Sequence, residues 1–310
     1  MLRYTMLRSA FVRSTRLPPL QSAVCIRAQS TYAKAQLKCD DSQQAGEATS
    51  SVSPTASSRW FSELQARILR LRDAPKSPRC VEEADRLLQQ TNANWMGFLA
   101  GSQGFLTEPR WRGLDNHQVF WGDMDSMVSH AAHTGQSGMP EEEMSRLMCK
   151  QPGHINNVMY NRYVESARVQ FIRHHGLDAT AEERKQWEDL VTPRSLGLIL
   201  KMMTTEFKFP MKYPDRVYVL YRLTEPPTPD STSLRMESWI LSDQHRRIAA
   251  KVIDETAIYD YTVGKVSVLK PFMVEKLKRT FTMQEEARRK YAEEARKAIE
   301  AVEELESQHG

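Results

Sequence analysis

Two carboxylates one residue apart, Asp123 and Asp125, lie in the stretch Val119-Phe-Trp-Gly-Asp-Met-Asp-Ser-Met127. A carboxylate can serve as a base toward water or as a nucleophile toward an electrophilic carbonyl. Further along, Gly153-His-Ile-Asn-Asn-Val-Met-Tyr160 sets a histidine and two asparagines ahead of a helical pattern. Tyr160, Val164, Ala167 and Phe171 recur at spacings of four, three and four, which predicts one apolar helix face. Asn156 or Asn157 can cap that helix, whose free backbone N–H groups then point at whatever precedes it. Such amides favour an oxygen that is gaining negative charge. A carboxylate at a strand end, facing an open helix start, is suited to chemistry on a carbonyl.

The elements that must hold these groups follow from periodicity. Residues 119–127 alternate apolar and polar side chains and read as a short strand ending in the two aspartates. After the helix, Gly176 supplies a stop, and Glu182 to Leu190 is a charged helical piece ended by Pro193. Leu196 to Phe207, Arg216 to Leu223, Leu234 to Leu241 and Ile248 to Tyr261 read as four strands parted by proline-rich or polar turns. The order is strand, helix, then four strands, an α+β layout with one long helix packed on an antiparallel sheet. Between the aspartates and the helix, residues 128–152 are polar and rich in breakers, unusually long for a loop inside a compact domain. That segment is a functional lid, a disordered loop or translated intron sequence.

The pattern Trp-Gly-Asp-Met-Asp, then Gly-His-Ile-Asn-Asn-Val-x-Tyr, then Arg-Tyr-x-Glu-Ser-Ala-Arg resembles the hotdog-fold acyl-CoA thioesterases of the 4-hydroxybenzoyl-CoA thioesterase superfamily. Excising residues 128–152 restores the family's spacing between the second aspartate and Gly153-His154. The resemblance covers about residues 115–265. It implies a sheet wrapped around a central helix, and hydrolysis of an acyl-CoA to a free acid and CoA without a cofactor or metal. It maps the catalytic aspartate onto Asp125 rather than Asp123, and places the oxyanion and substrate near Gly153, Asn156, Asn157, Val158 and Tyr160. It offers Glu165 as a second catalytic carboxylate; pairing with Arg162 and Arg168, each three residues away, explains Glu165 equally well. His154 either orients water at the thioester or is a hydrogen-bonded residue ahead of the helix. Substrate bound between two subunits implies a homodimer or homotetramer. The rival is a catalytically idle hotdog subunit with a structural or acyl-binding role in a mitochondrial assembly.

Composition narrows the field. A formal charge of +4 over 310 residues argues against a dedicated nucleic-acid binder. No apolar run reaches the length of a membrane span. Cys25, Cys39, Cys80 and Cys149 form neither a C-x-x-C pair nor a zinc pattern. The phosphate loop, dinucleotide fingerprint and nucleophile-elbow motifs are missing.

Residues 1–39 carry Arg3, Arg8, Arg13, Arg16, Arg27, Lys34 and Lys38 with no acidic residue before Asp40. That is the composition of a mitochondrial transit peptide, with processing near Arg27 to Tyr32 and the matrix as destination. The organisation expected is a leader over 1–35, a disordered linker over 36–58, a helical lead-in over 59–114, the hotdog domain over 115–265 and a charged helix over 266–310. In the lead-in, Trp60 to Arg72, Val81 to Gln89 and Trp95 to Leu106 are the expected helical or apolar pieces. The last helix has a weakly apolar face, Tyr291, Ala295, Ala298 and Val302, which suggests a solvated or loosely packed tail, with a partner-binding helix as the alternative.

Overall fold

The computed structural model describes residues 59–73, 77–124 and 153–309. Three helices come first: α1 (Trp60–Asp73), α2 (Pro78–Ala93) and α3 (Trp95–Leu99). Strand β1 (Arg112–Gln118) leads to the central helix α4 (Asn157–His174), followed by the short helix α5 (Ala181–Asp189). Four long strands follow, β2 (Leu196–Phe207), β3 (Arg216–Leu223), β4 (Ser233–Ser242) and β5 (Arg247–Asp260). A two-residue strand, β6 (Lys265–Val266), precedes the long helix α6 (Pro271–His309). The sheet runs β1-β3-β4-β5-β2, antiparallel throughout, with β6 on β5.

The inner face of this sheet curls around α4. Tyr160, Val164, Ala167 and Phe171 of the helix are all buried, against Val217, Val219, Tyr221 and Leu223 of β3 and their neighbours. Gly113 sets how closely β1 approaches. A Cβ there would lie 2.6 Å from the Ala167 Cβ and 2.7 Å from the Ala167 carbonyl oxygen, so the strand rests directly on helix backbone. This is the hotdog fold, an α+β architecture with one helix enclosed by an antiparallel sheet.

Two expectations need correction. Over the described part of the stretch, 119–124, the chain is not a strand: β1 ends at Gln118, and Trp121–Asp123 form a 3-10 turn; residues 125–127 lie outside the described residues. The cause is Asp123 itself, whose carboxylate accepts the Phe120 N–H at 2.9 Å and closes a turn where alternation alone suggests extension. Nor is the last helix a loose tail. Ala295, Ala298, Val302 and Leu305 of α6 are buried in a second core with Phe61, Leu64 and Ile68 of α1 and Ala84 and Leu87 of α2. That core rests on the outer face of the sheet, through Leu220, Trp239, Leu241 and Ile248. Tyr291 shows how tightly it closes: Cβ atoms on Gly97 and Gly101 would fall 2.4 and 2.3 Å from its ring. The other end of α6 inserts Met273, Val274 and Leu277 into the inner core, so one helix ties both layers together.

Elsewhere the periodic pattern and the structure agree closely. The helix expected over Trp60 to Arg72 is α1, and the expected limits of β2 and β3 coincide with those observed. The piece expected over Trp95 to Leu106 is shorter, a five-residue helix and a 3-10 turn at Gly101–Gln103.

Candidate functional site

The turn after β1 is fastened to the start of α4 by backbone. The Asn156 N–H donates to the Asp123 carbonyl at 2.9 Å, and Met124 and Ile155 form an antiparallel bridge. Residues far apart in sequence thus meet where the central helix begins. The Asp123 side chain adds a third tie, its Oδ2 accepting from the Tyr163 hydroxyl at 2.9 Å. Burial first, and then the neighbouring Asp123 carboxylate, push the Tyr163 hydroxyl well above the usual tyrosine range. Asp123 is therefore engaged in holding the turn. Asp125, Ser126 and the rest of the 125–152 segment lie outside the described residues.

Asn156 is the cap of α4, its Oδ1 accepting the Val158 N–H at 2.9 Å. The Met159 N–H is drawn back to the Asn156 carbonyl at 2.9 Å. These two bonds occupy the Val158 and Met159 N–H groups, and the amides of a first helical turn have no carbonyl of the helix itself to donate to. Gly153 is half-buried and His154 exposed beside it, with Nδ1 3.1 Å from the Ile155 carbonyl. Tyr160 points the other way. Its hydroxyl accepts the Met211 N–H at 3.0 Å and donates to the Phe209 carbonyl at 3.3 Å, pinning α4 to the β2–β3 connection. Burial raises its pKa above the ordinary tyrosine value.

Glu165 is exposed, two turns into α4 from its capped end, and lines a groove of about 400 Å³ with Arg162, Ser166, Val169 and Gln170. Gly153, His154, Asn156 and Asn157 are thus together at the end of β1, Glu165 lies farther along the same helix, and Tyr160 is turned into the core. Sequence reasoning overlooked Tyr163 and Asp254. Tyr163 sits three residues after Tyr160 on the inward stripe of α4. Asp254 shares its face of β5 with Val252 and Thr256, both buried, and that alternation was the available signal. Among the described residues no group of three or more His, Cys, Asp or Glu side chains is placed to hold a metal ion. No helix among them is long and apolar enough to cross a membrane.

A sheet closed around one helix, with a polar turn and a capped helix start meeting at the end of β1, defines a hotdog-fold protein of the thioesterase kind. Residues 119–277 match the thioesterase-like superfamily, which is more than half of the chain, and the chain belongs to that superfamily. A search of curated proteins finds no match. Among solved structures, a thioesterase from Thermus thermophilus in complex with coenzyme A and zinc is 19% identical, covering 58% of this chain and 97% of that one, with a TM-score of 0.38. A DHNA-CoA thioesterase from Staphylococcus aureus is 14% identical, covering 56% and 92%, with a TM-score of 0.39.

Proposed function

We propose that the protein hydrolyses an acyl-CoA thioester to the free acid and CoA. The observation that carries this reading is the backbone junction of Asp123 and Met124 with Asn156 and Ile155. It brings the chain that continues into Asp125 to the open end of α4, where a thioester carbonyl can be met from two sides. Asp125 acts as base or nucleophile. As base it takes a proton from water while the water oxygen bonds to the thioester carbon; the carbonyl oxygen, now negative, is held by the Asn157 N–H at the helix start. Collapse of that adduct breaks the C–S bond, and the departing sulfur takes a proton. Val158 contributes through the cap that keeps the helix end open, His154 orients the water, and Glu165 is the second carboxylate of the site. Gly153 allows the chain to pass close to the substrate.

The site is completed by a second copy of the chain. Strand β2 ends the sheet with Ile199, Leu200, Met202 and Phe207 exposed, a surface suited to pairing with another subunit. The acid-free basic leader directs the protein to the mitochondrial matrix.

The test is thiol release from short, medium, long and aromatic acyl-CoAs, on protein made with and without residues 128–152. Release from one or more of these substrates is expected. No release from any of them, with stable co-purification in a large complex, would reject the hydrolase in favour of the idle hotdog subunit.

A further inference from the structure

Arg162, Glu165 and Arg168 have the spacing of an ion triad on a helix surface. The structure breaks it. Arg168 turns away from Glu165 and passes beneath α4, where its guanidinium donates to Asp254 Oδ2 at 3.2 Å. The two side chains are 12% and 1% exposed, so this pair is closed off from water. Tyr221 donates to the same Asp254 oxygen at 2.8 Å, and its hydroxyl lies 3.2 Å from the Val164 carbonyl of α4. Asp254 Oδ1 and the Ser238 hydroxyl are buried with no hydrogen-bond partner among the described residues. Among the described residues Arg168 is thus the one cation paired with a carboxylate that the core otherwise leaves half satisfied. Glu165, meanwhile, has no ion pair among the described residues and stays exposed in its groove.

We propose that Asp254 is a positioning residue for the site: by holding the Arg168 guanidinium under α4, it keeps that charge off Glu165 and leaves the Glu165 carboxylate unpaired in the groove. This rests on the thioesterase reading, in which Glu165 is a carboxylate of the site. The physical driver is the cost of an unpaired buried charge. Without the Asp254 charge, Arg168 cannot stay where it is. The nearest carboxylate on its own helix is Glu165, three residues back, and the two then form a surface pair. A Glu165 carboxylate paired with a guanidinium is a weaker base and repels a wrong ligand charge less. Asp254 therefore acts on the groove from beneath the helix without touching it.

The test compares the full-length protein with D254N, D254S, E165Q, R168M and the double variant D254N/R168M, each normalised to its folded fraction by circular dichroism. D254N is expected to lower kcat about tenfold or more with KM little changed. The double variant is expected to recover kcat to within about threefold of the parent, because the intruding guanidinium is gone. A double variant as slow as D254N overturns the proposal; relief of the unpaired buried charge alone would raise the folded fraction, for which each rate is already corrected, and not kcat. A second readout does not depend on activity. In ¹⁵N-arginine-labelled protein, the Arg168 Nε–H resonance, assigned by its absence in R168M, should be insensitive to E165Q in the parent and shift with E165Q in D254N. A resonance insensitive to E165Q in both backgrounds overturns the proposal. Full turnover in E165Q alone would instead remove Glu165 from the reaction, while the resonance still reports whether Arg168 is diverted. D254S serves where D254N does not fold; if neither folds, Asp254 is a determinant of the fold and the positioning role is rejected.

Discussion

Asp123→Asn removes the charge from a carboxylate whose Oδ2 receives both the Tyr163 hydroxyl and the Phe120 N–H at 2.9 Å. Hydrogen bonds to a charged acceptor contribute about 1.5–3 kcal/mol and neutral ones about 1 kcal/mol. The amide side chain still accepts, so about 1 kcal/mol is lost at buried Tyr163 and less at the exposed Phe120 amide, about 1–2 kcal/mol in all. For a chain of this size that lowers Tm by roughly 2–4 °C. Tyr163→Phe removes the donor from the other side, and the double variant should cost about 1 kcal/mol less than the sum of the singles. Asp125→Asn should behave oppositely, lowering turnover by about 10²–10⁴-fold while leaving Tm within the range of ordinary surface substitutions. Urea denaturation followed by circular dichroism gives the first quantity and thiol release from acyl-CoA the second. If Asp123→Asn abolishes turnover at unchanged stability while Asp125→Asn is silent, the two roles are exchanged and the assignment is refuted.

Other outcomes follow from the packing. Gly113→Ala should destabilise by about 1–3 kcal/mol, because the new Cβ meets the Ala167 Cβ and carbonyl oxygen, and backbone cannot step aside as a rotamer can; adding Ala167→Gly should restore only part of the loss in a urea melt. His175 is fully buried, with Nδ1 2.8 Å from the Phe171 carbonyl and Nε2 3.1 Å from the Thr280 hydroxyl, and burial pushes its pKa down from 6.5 to about 4. The unfolded chain then binds a proton between those values and the folded chain does not. Stability is complete above about pH 6.5 and falls by about 3 kcal/mol on acidification to pH 4; urea midpoints that stay flat over that window, after allowance for the other histidines by a His175→Phe control, would contradict this. Ala298→Asp places a carboxylate in the second core and should release α1–α3 from the sheet, seen as early cleavage ahead of β1 in limited proteolysis while the β-sheet signal in circular dichroism persists.

What could be read from the sequence was whatever depends on periodicity. The stripe Tyr160, Val164, Ala167 and Phe171 is buried as its spacing requires, and Arg216 to Leu223 is a strand with those limits. Where a side chain competes with the pattern, the pattern misleads. Asp123 captures the Phe120 amide and turns a stretch that alternates like a strand. Asp254 stands among buried residues of β5 because Arg168 comes to meet it from α4, a pairing between segments that local spacing cannot reveal. The face Tyr291, Ala295, Ala298 and Val302 seemed too weakly apolar to be buried, yet its small residues are what allow close approach. The Tyr291 ring of α6 interlocks with backbone where it meets Gly97 of α3 and Gly101 of the 3-10 turn that follows, so apolar weight underestimates packing at such crossings.

Coverage of the outer sheet face bears directly on how copies of the chain assemble. Leu220, Trp239, Leu241 and Ile248, which a bare sheet would present to another subunit, are already spent on α1, α2, α3 and α6 of the same chain. Stacking two sheets through that face would require stripping away a complete core, so it cannot be the route to the proposed homodimer. The edges remain. Edge strand β1 is seven residues long and shows Asp115, Asn116 and His117 at its outer half, with bulges in its pairing to β3, features that discourage strand addition. Edge strand β2 is twelve residues long and exposes Ile199, Leu200, Met202 and Phe207. Joining two such edges extends the sheet without breaking either core, and it lies on the strand whose following connection, through Phe209 and Met211, is bonded to Tyr160 near the start of α4. The proposed dimer contact and the proposed site therefore share one mechanical frame, and a lysine substituted at Met202 should weaken association and turnover together, as read by sedimentation and thiol release at matched concentrations.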